Sequence, residues 1–366
     1  MEFLDLLAKH PTLFVGCCTV LGLLIGSFLN VVIYRLPVMI DNILRNDFAE
    51  LAAADAAATA PAPGTVESPA PEVAIEAPLV EPVAEVAPDP DPLVAAGTAE
   101  LPEIAAPAES ADPAGETAPT EEDAPPARPA FNLVVPRSAC PKCHAPITAL
   151  QNIPVVSWLA LGGKCANCRA PISARYPAIE LLTGIMSGLV AWRLGFGLTA
   201  LAGLFFTWSL IALTFIDLDT FLLPDQITLP LLWVGLLLST FNPVWAPGAD
   251  PVTPVDSIIG AAVGYLSLWS LYWLYMLIRR REGMGYGDFK LLAAFGAWFG
   301  WKMLLPIVLV ASLVGSVIGL WVLYRQRKGL ETLIPFGPYL ALGGWVFLMV
   351  GHEVVNRWFV FAQQPG

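Results

Sequence analysis

Two aspartates stand where a carboxylate pair could do chemistry. Asp217 lies in Phe215-Ile216-Asp217-Leu218-Asp219-Thr220-Phe221-Leu222-Leu223-Pro224-Asp225, and Asp288 closes Gly285-Tyr286-Gly287-Asp288. Each sits where a strongly apolar run meets a polar turn, and ionisable groups at membrane depth are costly enough to mark a functional site by default. Two carboxylates sharing one proton can hydrolyse a peptide bond: one activates water while the other protonates or polarises the carbonyl. Like charges a few ångströms apart raise one of the two pKa values, and partial burial raises it further. Neither serine nor histidine is needed. His10, His144 and His352 are poorly placed to meet, and the chain has no G-x-S-x-G or H-E-x-x-H, which weakens serine and zinc peptidase readings.

The glycines before Asp288 let backbone approach a substrate strand closely. Asp288 also suits a helix N-terminus ahead of Phe289, a role compatible with catalysis. Asp219 and Asp225 are rivals for the first carboxylate. Asp225 follows Pro224 and suits the start of the next helix, whereas the residues alone leave Asp217 and Asp219 undecided.

A second constellation is Cys140-Pro141-Lys142-Cys143 with Cys165-Ala166-Asn167-Cys168, two C-x-x-C knuckles at a spacing close to that of a zinc ribbon. Each knuckle points two sulfurs at one centre, so Cys140, Cys143, Cys165 and Cys168 complete a tetrahedral thiolate site. Four cysteines leave no open position, which assigns Zn2+ a structural role. His144 is a spare ligand that the site does not require. Cys17 and Cys18 fall inside the first apolar run and read as packing residues.

The elements that must position these groups are membrane helices. The 366-residue chain is 56% hydrophobic, with 12 tryptophans and a mean hydropathy of +0.65, which excludes an ordinary soluble domain. Its net charge of -12 is local: Asp41 to Arg128 holds 19 acidic residues against two arginines, so the remainder is mildly basic. Ala, Pro and Glu dominate from roughly Ala49 to Ala130, a composition that prevents a packed core. It reads as a disordered cytoplasmic spacer, with a docking tail for a basic partner as the alternative. Nothing points to a nucleic-acid partner.

Apolar runs of spanning character lie near Leu13–Tyr34, Ala178–Leu194, Leu198–Ile216, Ile227–Thr240, Ile258–Ile278, Phe289–Gly300, Leu304–Tyr324 and Ile334–Gly351. The expected fold is an all-α polytopic membrane protein of about eight spans. Its divisions are a first helix at 1–36, the acidic insert at 37–130, a zinc-ribbon-like loop domain at 131–176, and a membrane body at 177–366. The first run lacks a cationic leader and cleavage site, so it reads as a retained span. Arg35, the stretch Arg137 to Arg175, Arg279 to Arg281, and Arg325, Arg327 and Lys328 fall on one side of this arrangement. Positive residues favour the cytoplasm. Asp217 and Asp288 then both meet the cytoplasmic face.

These residues resemble the bacterial prepilin peptidases, or type IV leader peptidases. The resemblance runs through Gly26-Ser27-Phe28-Leu29-Asn30-Val31-Val32-Ile33-Tyr34-Arg35-Leu36-Pro37, both cysteine pairs, and Asn152-Ile153-Pro154-Val155-Val156-Ser157-Trp158-Leu159. It continues in Arg175-Tyr176-Pro177-Ala178-Ile179-Glu180, the Asp217 segment and Gly285-Tyr286-Gly287-Asp288-Phe289-Lys290. It implies an inner-membrane aspartyl protease that removes the basic leader of type IV prepilins and type II secretion pseudopilins at the cytoplasmic face. It also implies methylation of the new amino terminus with S-adenosylmethionine. By this resemblance Asp288 is one catalytic carboxylate and Asp217, seven residues before Pro224, is the other. The methyl-donor pocket is sought between Gly26 and Glu180. Glu180 is expected to pair with Arg175, with contact to a basic leader as the alternative. The family joins Leu36-Pro37 to the first knuckle by a much shorter segment; the roughly 100 intervening residues add little closure cost, which grows only logarithmically.

Two other classes remain on the sequence. A transporter would hold its carboxylates near mid-membrane and show repeat symmetry, whereas here they lie near span ends and no repeat is evident. A zinc-loop scaffold for pilus assembly would tolerate loss of either aspartate.

Overall fold

The computed structural model describes residues 2–59, 131–135, 137–148, 150–245, 251–280, 284–326 and 335–351. Among them are ten α-helices, α1 (Glu2–Lys9), α2 (Pro11–Thr59), α3 (Val156–Ala160), α4 (Arg175–Leu194), α5 (Leu198–Thr220), α6 (Asp225–Ser239), α7 (Pro254–Arg279), α8 (Tyr286–Phe299), α9 (Leu304–Gln326) and α10 (Gly337–Val346), and no strand. Every expected apolar run falls largely on a helix. Four stretches are long and apolar enough to cross a membrane, Pro11–Asp55, Leu198–Thr220, Pro254–Arg279 and Trp301–Val322; Asp225–Ser239 and Gly337–Val350 are apolar but shorter.

Helix α2, which carries the first apolar run, does not stop at residue 36. It passes through Pro37 and runs on to Thr59. Between Asp41 and Thr59 the chain has neither Gly nor Pro and is rich in Ala and Leu, the strongest helix formers, so propensity carries the helix beyond its apolar part. The rest of the expected insert, 60–130, lies outside the described residues.

Helices α2 and α4 meet along a seam of small residues. Gly22 and Gly26 of α2 face Thr183 and Ser187 of α4, Gly184 and Gly188 of α4 face Thr19 of α2, and a Cβ added at Gly26 would lie 2.7 Å from the Cα of Glu180. Small residues at four-residue spacing bring membrane helices into backbone contact. Leu29, Val32, Ile33 and Leu36 of α2 then pack with Ile179 of α4 and Ile211, Ala212 and Ile216 of α5, tying this pair to the turn just before Asp217.

Helix α8 is the centre of the second group. From Leu291 to Phe299 every residue is buried, as befits a helix apolar on all sides. Phe206 of α5 packs on Phe295, Trp298 and Phe299, with ring centroids 5.6, 4.7 and 5.4 Å apart. Two indoles are satisfied on backbone: Trp245 Nε1 donates to Trp298 O at 2.9 Å, and Trp298 Nε1 to Leu231 O at 2.8 Å. Gly260 of α7 and Gly296 of α8 touch backbone to backbone. A short helix held this closely gives a fixed support for the residues at its N-terminus.

Candidate active site and metal centre

Three turns converge at one end of the bundle. Asp217 lies in the last turn of α5, which Phe221 closes in the left-handed conformation by donating its N–H to Asp217 O at 3.0 Å. Asp288 lies in the first turn of α8, behind an extended Gly285. The third turn opens α10, where the Gly337 N–H donates to the Asp217 carboxylate. Leu223 seals the space among them: a Cβ at Gly287 would lie 2.6 Å from its Cβ, and a Cβ at Gly337 3.2 Å from its Cδ1.

Both aspartates are buried, Asp217 at 5% exposure and Asp288 at 7%, and they are close enough for their charges to interact. Asp288 Oδ1 has no hydrogen-bond partner among the described residues. A buried carboxylate oxygen left without a partner is a high-energy arrangement. It suits an atom whose partner is a water or substrate group.

The rival carboxylates are engaged elsewhere. Arg175 Nη2 donates to Asp219 Oδ2 at 2.5 Å while its guanidinium lies 5.4 Å from the centroid of Phe215. Lys290 Nζ donates to both oxygens of Asp225, at 2.6 and 2.7 Å, joining the starts of α6 and α8. The expected pairing of Arg175 with Glu180 is therefore replaced. Residues five apart lie on different faces of a helix; Glu180 turns instead to the loop and accepts the Val155 N–H at 2.8 Å.

The four knuckle cysteines gather with their sulfurs all within 4.8 Å of one another. Cys140 and Cys168 are 3.7 Å apart and Cys143 and Cys165 4.0 Å. Zn–S bonds of about 2.3 Å in a tetrahedron place sulfurs roughly 3.8 Å apart, so the spacing and donor set fit that ion. The knuckles are near duplicates. In each, the first cysteine donates its N–H five residues on, to Ala145 O at 3.0 Å and to Ala170 O at 2.8 Å, and a left-handed residue, His144 or Arg169, closes the turn. His144 is thus a turn residue outside the sulfur cluster. The backbone N–H of Ala145, then the Asn167 amide, hold the Cys143 thiol down to about 6, and backbone N–H groups of Cys168 and Asn167 lower that of Cys165. Both favour the thiolate, the form that binds metal.

The loop domain is tied to the bundle at both ends. Arg35 donates to Asn132 O at 2.9 Å and lies over Phe131; Asn30 Nδ2 donates to Tyr176 O at 3.1 Å. Gly337 was outside the expected site. Its local signal is Pro335-Phe336-Gly337-Pro338, a glycine between prolines, but no sequence spacing connects it to Asp217.

Comparison with known proteins places these features in one lineage. Residues 20–194 match the Bacterial Peptidase A24 N-terminal domain, and residues 204–320 match the Type IV leader peptidase family. A Stutzerimonas stutzeri protein named prepilin leader peptidase/N-methyltransferase is 41% identical over 99% of this chain and 100% of its own length. A Pseudomonas aeruginosa protein of the same name is 41% identical over 99% of both chains, and one from Aeromonas hydrophila is 53% identical over 63% of this chain and 77% of its own. No solved structure matches the chain. With a domain model over each half and relatives matched end to end, the chain belongs to the type IV leader peptidase family.

Proposed function

We propose that the protein is a prepilin leader peptidase and N-methyltransferase of the bacterial inner membrane, with Asp217 and Asp288 as its catalytic carboxylates. The observation that carries the peptidase reading is their burial within reach of each other's charge, with Asp288 Oδ1 unpartnered among the described residues. One carboxylate takes a proton from water as the water oxygen bonds to the scissile carbonyl carbon, and the other gives a proton to the carbonyl oxygen. Collapse of the tetrahedral intermediate breaks the C–N bond, and the leaving nitrogen is protonated. The Gly337 N–H keeps the Asp217 carboxylate aimed while its proton moves.

The eight helical segments form eight spans in this reading, with Arg35, Arg175, Arg279 and Arg325 toward the cytoplasm. The cleavage site of a membrane-anchored prepilin or pseudopilin, between a cationic leader and an apolar helix, then meets the aspartates at that face. The four cysteines hold a structural Zn2+ that folds the loop domain. S-adenosylmethionine, as co-substrate, supplies the methyl group to the freed amine.

The test is single-turnover cleavage of a purified prepilin in detergent by the unmodified protein, Asp217→Asn and Asp288→Asn, with products weighed by mass spectrometry. Loss of cleavage in both folded variants, and a product one methyl heavier when S-adenosylmethionine is present, is the expected result. Cleavage persisting in either variant removes that residue from the mechanism, and a scaffold predicts it in both.

A further inference from the structure

The turn at Val155 is a strained piece of backbone beside the bundle. Val155 has φ 56° and ψ −47°, and the N–H of Val156 donates to Pro154 O at 2.5 Å, closing a positive-φ γ-turn. That turn is rare and strained for any residue, and β-branched side chains are the least suited to positive φ. Such a conformation persists only where its surroundings over-determine it, and it concentrates at functional sites. Here the constraint is one buried carboxylate: Glu180 is 9% exposed and accepts the Val155 N–H at 2.8 Å.

The clamp holds more than one bond. Glu180 sits on the α2–α4 seam, where its backbone meets Gly26. Next to Gly26 on α2, Ser27 faces Asn152 with Oγ and Oδ1 3.5 Å apart, and Ser157 Oγ donates to Gln151 O at 2.6 Å. The segment 151–157 lies between the two knuckles, so the clamp joins the sulfur cluster's loop to both helices. All of it falls within residues 20–194, whereas Asp217 and Asp288 lie in the match at 204–320. The carboxylate pair proposed for peptide cleavage draws no side chain from the first region. A built, strained, polar constellation in the first is left for the second activity.

We propose that Glu180 is a positioning residue for methyl transfer: its carboxylate clamps the γ-turn at Val155 against the α2–α4 seam and keeps the segment 151–157 in the shape that step requires. This rests on the reading of the protein as a methyltransferase. Glu180→Ala removes the acceptor. Glu180→Gln keeps an oxygen that takes the same N–H. In Val155→Gly/Glu180→Ala, glycine adopts positive φ without strain, so the turn no longer depends on the clamp.

The experiment uses the full chain in detergent with a prepilin and S-adenosylmethionine, scoring cleavage and the methylated fraction of the cleaved product separately. Glu180→Ala is expected to cleave within about threefold of the unmodified protein while its methylated fraction falls by about tenfold or more, the scale of a misplaced positioning group. Glu180→Gln, and in part the double variant, recover methylation. Equal loss of both activities in Glu180→Ala, undiminished methylation, or a Glu180→Gln as defective as Glu180→Ala overturns the clamp. If Glu180→Ala fails to fold, the other two variants decide by the same ratio, and a double variant that cleaves without methylating overturns it. An unmodified protein that cleaves but leaves the amine unmethylated overturns the methyltransferase reading, and the proposal with it.

Discussion

The backbone N–H of Gly337 donates to the carboxylate of Asp217, and the absence of a side chain at Gly337 is what leaves room for that carboxylate. A Cβ there would lie 2.5 Å from Asp217 Oδ2 and 3.1 Å from its Cγ. Gly337→Ala should displace Asp217 by a fraction of an ångström and lower the single-turnover cleavage rate by roughly 10- to 100-fold, as small misplacements of reacting groups do. The helix starts at this residue, so the variant should still fold; an unchanged rate removes Gly337 from the site.

Asp219 and Asp217 are two residues apart but differently engaged. The pair between Arg175 and Asp219 is half-exposed, and such pairs contribute about 0–1 kcal/mol. Asp219→Asn should therefore cleave within a few-fold of the unmodified protein, whereas Asp217→Asn should be inactive. Side-by-side rates check this, and an inactive, folded Asp219→Asn would reverse the assignment.

Metal content gives an independent check on the loop domain. The purified protein should carry one Zn2+ per chain by elemental analysis, and Cys→Ser at any of the four knuckle positions should lower it. The Cys143 thiol, held down to about 6, is deprotonated above that value and regains its proton as pH falls through it. Protons compete with the metal for the thiolates, so zinc retention should drop on acidification. Asn167→Ala removes the amide that donates to Cys143 Sγ at 3.6 Å. The pH at which metal is lost should rise.

Gly296 tests the support beneath Asp288. Any side chain there meets the carbonyl of Gly260 across the α7–α8 contact, with backbone on both sides and nothing flexible to yield. Gly296→Val should cost at least the ~1–3 kcal/mol of a typical overpacked core site. A lower thermal midpoint in detergent, with cleavage lost in proportion to folded protein, is the expected readout.

What could be read from sequence is what depends on neighbours along the chain. Asp288 and its glycines, the Asp217 segment and both knuckles carry their chemistry within a dozen residues. Two spaced C-x-x-C pairs imply a common centre because each turn already aims its sulfurs. Gly337 could not be found this way, since its role depends on α10 closing over α5, a contact across 120 positions of sequence. Glu180 was placed on a helix with an arginine nearby, but five-residue spacing separates the faces, and the loop that meets it folds back from 25 residues earlier. The extent of α2 was obscured for a different reason. Pro-rich composition beyond residue 60 dominates the segment's average and hides the helix-forming stretch ahead of it.

The far end of α2 also fixes where the chain must travel next. From Arg35, which holds Asn132 at the base of the loop domain, to Thr59 is 24 residues, or roughly 36 Å of helix at 1.5 Å per residue. The chain leaves at the tip of this mast and returns to its foot. Residues 60–130 cover that return, and 71 residues can reach on the order of 230 Å when extended, more than six times the gap. A dozen or so would close the circuit at full extension. The length of this stretch is therefore not set by the distance it has to cross.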